Sequence, residues 1–145
     1  MHPYPHRYSV HAGGGTEGPV RLGSAGLPAL ESTPPPQFDG PPGYWSPETL
    51  LLAAAADCYL LSFRAVARAS KLAWDDLQLD VEGVLDRVDG VTRFTELRFE
   101  PVLRIPGPEQ EHLAQTVLEK AKKVCLITNS LNATSELKAT VVVGR

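Results

Sequence analysis

The stretch from Ser46 to Lys71 constrains this chain more than any other: Ser-Pro-Glu-Thr-Leu-Leu-Leu, a run of alanines from Ala53 to Ala56, then Asp57 and Cys58. Ser46 carries the side-chain oxygen that an N-cap needs, Pro47 has the preset φ that suits the first helical position, and Glu48 sets a carboxylate against the positive helix end. These residues predict one long helix ending near Ser70-Lys71. Turned at about 100° per residue, Asp57, Arg64, Arg68 and Lys71 fall on a narrow stripe. The other positions are mostly Leu, Ala, Val and Phe, so the helix is expected to be covered by protein everywhere else. Cys58 and Glu48 both lie off the wet stripe. A buried cysteine is ordinary, whereas a carboxylate on an apolar face must find a partner or lie at an interface.

The 145 residues, 43% hydrophobic and 21% charged, suit one globular domain over 1-145. A net charge of -3 and a pI near 5.8 argue against nucleic acid or an anionic membrane as partner, because either favours a basic face. No apolar run is read as approaching the roughly 20 residues of a membrane span, and Met1-His2-Pro3-Tyr4-Pro5-His6 lacks the core of a signal peptide. A cytoplasmic setting is expected, in which Cys58 and Cys125 are reduced or redox-active rather than a permanent staple. His2, His6, His11 and His112 show no metal-ligand spacing with the cysteines or each other, so no metal is expected.

Along the chain, loose alternation from Arg7 to Ala12, the glycine turn Gly13 to Gly18, and short apolar pieces at Val20, Leu22, Leu27 and Leu30 predict two or three short strands in a meander. Proline and glycine density from Ser32 to Trp45 excludes regular structure, while Phe38, Tyr44 and Trp45 let that loop dock. Beyond the central helix, Leu77, Leu79 and Val81 alternate with polar residues, and Asp89-Gly90 marks a hairpin turn. On the second arm Leu97, Phe99, Leu103 and Ile105 share one face, Phe94 falls out of phase and suggests a bulge, and Pro101 implies an exposed edge. Gly107-Pro108-Glu109 opens a second helix with an apolar stripe Leu113, Val117, Leu118, Ala121 and Val124. The stripe ends at Cys125, and Asn129 to Asn132 break the helix. Leu137, Ala139, Val141 and Val143 read as a last strand. The class is α+β, with helices covering a mostly antiparallel sheet.

Ser46-Pro47-Glu48-x-Leu50-Leu51-x-Ala53-Ala54-x-x-x-Cys58, followed by Lys122-Lys123-Val124-Cys125-Leu126-Ile127-Thr128-Asn129-Ser130 some 67 residues beyond Cys58, resembles the OsmC/Ohr family of thiol-dependent peroxidases. The resemblance implies an intertwined homodimer with two interfacial active sites that reduce organic hydroperoxides. It implies Cys58 as peroxidatic thiolate, Cys125 as resolving thiol, and Glu48 as the acid that orients an arginine beside the reactive sulfur. It implies no bound metal or flavin, only an external dithiol reductant of the lipoyl type. The chemistry is self-consistent: a thiolate attacks the O–O bond to give a sulfenic acid, which a second thiol traps as a disulfide.

The chain departs from that pattern where arginine is expected. Gly14-Gly15-Thr16-Glu17-Gly18 replaces the glycine turn that carries it in one branch, and Gln37-Phe38-Asp39-Gly40 replaces the other branch's arginine with Gln37. Arg7, Arg21 and the Lys122-Lys123 pair are the remaining cations to consider. Without a nearby cation the Cys58 thiolate fraction, and with it the peroxidase activity, is expected to be weakened. Glu48 and Cys58, ten residues apart in the sequence, stand roughly 15 Å apart on a straight helix. Antiparallel copies of the helix across a two-fold axis offer one way to bring an acid toward the other subunit's cysteine. Gln37, Phe38, Tyr44 and Trp45 are the substrate-binding candidates. The alternative reading is a non-enzymatic module that binds an apolar small molecule at the dimer interface, in a pocket walled by Phe38, Tyr44, Trp45 and Phe63. A Cys-His hydrolase is disfavoured because no histidine is placed near Cys58 by motif.

Overall fold

A computed structural model describes residues 1–144. The chain divides into two units, Met1–Leu51 and Leu52–Arg145. In the first, β1 (His11–Gly13), β2 (Val20–Gly23) and β3 (Leu30–Ser32) form the expected antiparallel meander in that order. The segment after β3 is less irregular than its composition predicts. Pro36–Phe38 makes a single 3-10 turn, and Trp45 returns beside Ser32, where the Thr33 N–H donates to the Trp45 carbonyl at 2.9 Å. Gly40 is required in this turn because a β-carbon there would run into the Pro34 carbonyl.

Helix α1 (Pro47–Ser70) begins where predicted. The Ser46 hydroxyl accepts the Thr49 N–H at 3.2 Å and the Thr49 hydroxyl accepts the Ser46 N–H at 2.9 Å, a reciprocal cap on the first turn. At the other end Lys71 adopts a left-handed φ of 56°. The Lys71 and Leu72 amides then donate to the Arg68 and Ala67 carbonyls at 3.2 and 2.9 Å, which satisfies the last turn.

The second unit is built on β4 (Asp76–Val88) and β5 (Val91–Ile105), an antiparallel hairpin. Its turn residues Asp89 and Gly90 have φ of 52° and 77°, the paired positive angles that match the twist of the strands. The register shifts at Val84/Leu85, which pair with Glu96 and Phe94 and leave Thr95 as the extra residue. That is the bulge expected at Phe94. Helix α2 (Glu111–Val124) follows, then the short α3 (Leu126–Asn129) and the strands β6 (Thr134–Leu137) and β7 (Thr140–Val143).

Four expectations are corrected here. The last apolar run is two short strands rather than one, and both pair parallel to β5, so this sheet is mixed. A strand that returns after a crossover helix runs parallel to its predecessor, which local alternation cannot reveal. Pro101 is buried in the central strand, not exposed on an edge. The Phe99 and Ile105 carbonyls both accept amides from the β6–β7 side. With a period of two, Pro101 faces that side too, at the gap between the pairs Phe99↔Leu137 and Val102↔Thr140. The second helix breaks at Cys125, whose ψ of 104° is extended, before Asn129 is reached.

The fourth concerns the apolar length of α1, whose cover within this chain is partial. One face carries the fully buried Ala55, Tyr59, Phe63 and Ala67, packed with Leu97, Phe99, Leu103 and Ile105 of β5 and Ala114, Val117, Leu118 and Ala121 of α2. The Tyr59 and Phe99 rings lie 5.6 Å apart, and Phe63 meets Trp74 edge-on at 5.1 Å. Each large side chain so buried contributes about 1.5–3 kcal/mol. The expected charged stripe is exposed, yet Ala54, Ala65 and Leu61, the last 51% accessible, are exposed as well. By length and composition alone α1 is apolar enough to cross a membrane, contrary to the sequence reading. Its buried row on the sheet is that of a core helix.

Candidate functional site

Cys58 sits in the middle of α1, one turn after Ala55 and next to Tyr59, on the side of the helix that looks toward the core. It is half-buried, while Cys125 is completely buried. Cys125 stands where α2 gives way to α3, and the change in backbone direction at this residue turns its side chain back against α1. The Cys125 Sγ lies 3.9 Å from the Ala55 carbonyl, a weak acceptor for the thiol proton. The Thr128 hydroxyl donates to the same sulfur at 3.2 Å. Cys58, one turn beyond Ala55 on α1, is near enough to act on the Cys125 thiol. Two thiols that are 67 residues apart in the sequence are thus neighbours in the fold, and neither is in a disulfide.

Burial pushes the Cys125 thiol above its ordinary range. The Thr128 hydroxyl and amide pull it back, and Cys58 raises it again. Tyr59 is raised first by its own burial and then by Cys125, and its hydroxyl donates to the Leu118 carbonyl of α2 at 2.9 Å. That bond ties the helix bearing Cys58 to the helix that ends in Cys125. Neither Tyr59 nor Thr128 was singled out from sequence. Thr128 was detectable in principle, since a hydroxyl three residues after a helix-breaking side chain is in reach of it. Tyr59 becomes evident only once α1 and α2 are packed.

Glu48 occupies the first turn of α1, in the first unit. Its Oε1 is buried with no hydrogen-bond partner among the described residues. It lines a cavity of about 440 Å³ with Val20, Leu22, Pro35, Phe38 and Leu50. Of the predicted substrate-binding residues, only Phe38 is on that wall. Gln37, Tyr44 and Trp45 are exposed and outside the lining. Phe63, expected to wall a pocket, is instead fully buried in the core of the second unit, because its edge packs on Trp74. Arg7 and Arg21 are exposed, as is Lys123, while Lys122 is half-buried in the last turn of α2. No group of three or more His, Cys, Asp or Glu side chains able to hold a metal gathers among the described residues.

Residues 40–140 match the family model described as OsmC-like protein. The chain is 31% identical over 115 residues to the uncharacterized protein YmaD of Bacillus subtilis, covering 76% of this chain and 77% of that one. It is 29% identical over 143 residues to the organic hydroperoxide resistance protein of Xanthomonas axonopodis pv. citri, covering 92% and 94% respectively. In structure it resembles an OsmC-like protein of unknown function from Vibrio cholerae, with a TM-score of 0.84 at 16% identity, over 93% of this chain and 99% of that one. With a family match across most of its length and the two cysteines side by side, this chain belongs to the OsmC-like protein family.

Proposed function

We propose that the protein is a thiol-dependent peroxidase that reduces organic hydroperoxides through a two-cysteine cycle. The single observation that carries this reading is the proximity of half-buried Cys58 to fully buried Cys125, whose sulfur lies against α1 at Ala55 and is shifted by Cys58. The accessible thiol is the one a peroxide can reach, so Cys58 is the attacking sulfur. It displaces the alcohol from the O–O bond and is left as a sulfenic acid. Cys125, held in the core beside it, then closes the disulfide and limits over-oxidation. An external dithiol, lipoyl-type by the family resemblance, restores both thiols by exchange. The name of the Xanthomonas relative, organic hydroperoxide resistance protein, supports the substrate class.

The assembly we propose is a homodimer in which a second copy covers the apolar positions Ala54, Leu61 and Ala65 that α1 leaves exposed. Glu48 is proposed as an acid awaiting a donor in the cavity that Phe38 also lines, with Gln37, Tyr44 and Trp45 outside that lining. One observation favours a second reading, a binding module without catalysis: an apolar cavity lies beside Glu48, whose buried Oε1 has no hydrogen-bond partner among the described residues. Intact mass after one equivalent of cumene hydroperoxide separates the two. A loss of two hydrogens, replaced by a trappable sulfenic acid at Cys58 when Cys125 is changed to Ser, is the result expected of the peroxidase. Unchanged mass at full recovery of both thiols overturns the catalytic reading and leaves the binding module.

A further inference from the structure

Thr128 has an ordinary use for its hydroxyl: a threonine in a helix commonly bonds the carbonyl four residues back. Here the hydroxyl bonds the Cys125 sulfur instead, at 3.2 Å, from α3. The other contacts of that sulfur act in the opposite sense. The Ala55 carbonyl at 3.9 Å accepts a thiol proton and repels a thiolate, and the side chain is fully buried, which also disfavours charge. The titratable groups coupled to Cys125 are Cys58 and Tyr59, both from α1, and neither supplies a positive charge. Among the described residues, no lysine, arginine or carboxylate is one of the groups that shift it. The stabilisation of negative charge on this sulfur therefore falls to Thr128, through its hydroxyl and its amide.

We propose that Thr128 is the third member of the thiol site, and that its hydroxyl stabilises the Cys125 thiolate that attacks Cys58, setting how fast the disulfide closes. This rests on the two-cysteine reading above. In the step concerned, the Cys125 thiolate attacks the sulfur of the Cys58 sulfenic acid. An S–S bond forms, the S–O bond breaks, and the departing hydroxide takes up the proton that Cys125 gave up, leaving as water. The Cys58 sulfur is reduced and the Cys125 sulfur oxidised, so the only oxidant consumed is the hydroperoxide of the preceding step. A hydroxyl that stabilises the thiolate keeps more of Cys125 in the reactive form near neutral pH.

Two variants test this, Thr128→Val, which is isosteric without the hydroxyl, and Thr128→Ser, which keeps it. In a Cys58→Ser background, ultraviolet thiolate absorbance against pH reads Cys125 alone and requires no peroxidase activity. Thr128→Val is expected to raise its midpoint by about one pH unit, a ten-fold loss of thiolate below the midpoint. Thr128→Ser leaves it near the parent. A midpoint unmoved in Thr128→Val overturns the proposal. With Cys58 present, the lifetime of its sulfenic acid after one equivalent of cumene hydroperoxide should lengthen about ten-fold in Thr128→Val at neutral pH and converge on the parent at alkaline pH. A delay that is the same at every pH marks a merely structural role and also overturns it. If no sulfenic acid forms in any variant, the peroxidase reading fails, and the titration arm still decides whether Thr128 holds the thiolate.

Discussion

Replacing Gly83 by alanine probes how closely α1 sits on the sheet. Gly83 lies in β4 opposite Leu97, and a β-carbon built on it comes 2.8 Å from the Leu52 Cδ2 of α1 and 2.8 Å from the Phe94 Cε1 of β5. Two terms of opposite sign compete. Removing a glycine from the unfolded chain and from a strand interior stabilises by about 0.5–1 kcal/mol. Forcing a methyl into contacts about 1 Å inside the usual carbon separation costs about 1–3 kcal/mol, because both neighbours must leave their rotamers. The clash wins, and the expected net loss is about 1–2 kcal/mol. Urea unfolding of reduced protein measures it as a lower midpoint at unchanged slope. The cause is isolated in a Leu52→Ala background, where the methyl has room and Gly83→Ala should become neutral or stabilising, a coupling of at least about 1 kcal/mol. Because Leu52 lies on the same helix as Cys58, the single variant is also expected to slow disulfide closure. A variant as stable as the parent, or a loss that persists undiminished without Leu52, refutes the argument that Gly83 is kept small for α1.

Stability of the reduced protein should fall as pH rises from about 8.5, the ordinary thiol range. Cys125 and Tyr59 are both raised in the folded state, so at alkaline pH the unfolded chain has released protons that the folded chain keeps, and the slope is negative. Tyr59→Phe removes the bond to the Leu118 carbonyl at a cost of about 1 kcal/mol near neutral pH and flattens that alkaline decline, both read from urea midpoints across pH. Gly40→Ala drives a methyl into the Pro34 carbonyl, so residues 32–45 must rearrange, and limited proteolysis should cut this loop faster while the second unit stays protected. Leu61→Asp places a charge on the exposed apolar face of α1 and, if the proposed dimer forms through this face, is expected to yield a monomer by light scattering. An unchanged mass would mean that this face is not the contact.

What the residues encode locally could be read from them directly, because the determining groups lie within one turn of each other. Ser46, Pro47 and Thr49 start α1 through hydrogen bonds that span three residues, and Asp89-Gly90 makes its turn through its own backbone angles. The alternation of Leu97, Phe99, Leu103 and Ile105 marks the buried face of β5 whatever packs on it. The α+β class and the family likeness followed from such signals. The site was legible only in part. Its two cysteines carried the motif, but their contact depends on where α2 stops, and that was decided by the extended backbone at Cys125 rather than by the polar residues after it. Pro101 read as an edge because only the pairing of β6 and β7 on either side of it leaves a gap for a missing amide. Thr128 and Tyr59 acquired their roles when α1, α2 and α3 packed together, since a hydrogen bond to a sulfur or to a carbonyl of another helix leaves no trace in spacing. Sequence alone determined most of the elements and named the two candidate thiols. Tertiary structure decided which of those atoms meet, because long-range contacts follow from the packing of whole faces and not from any short run of residues.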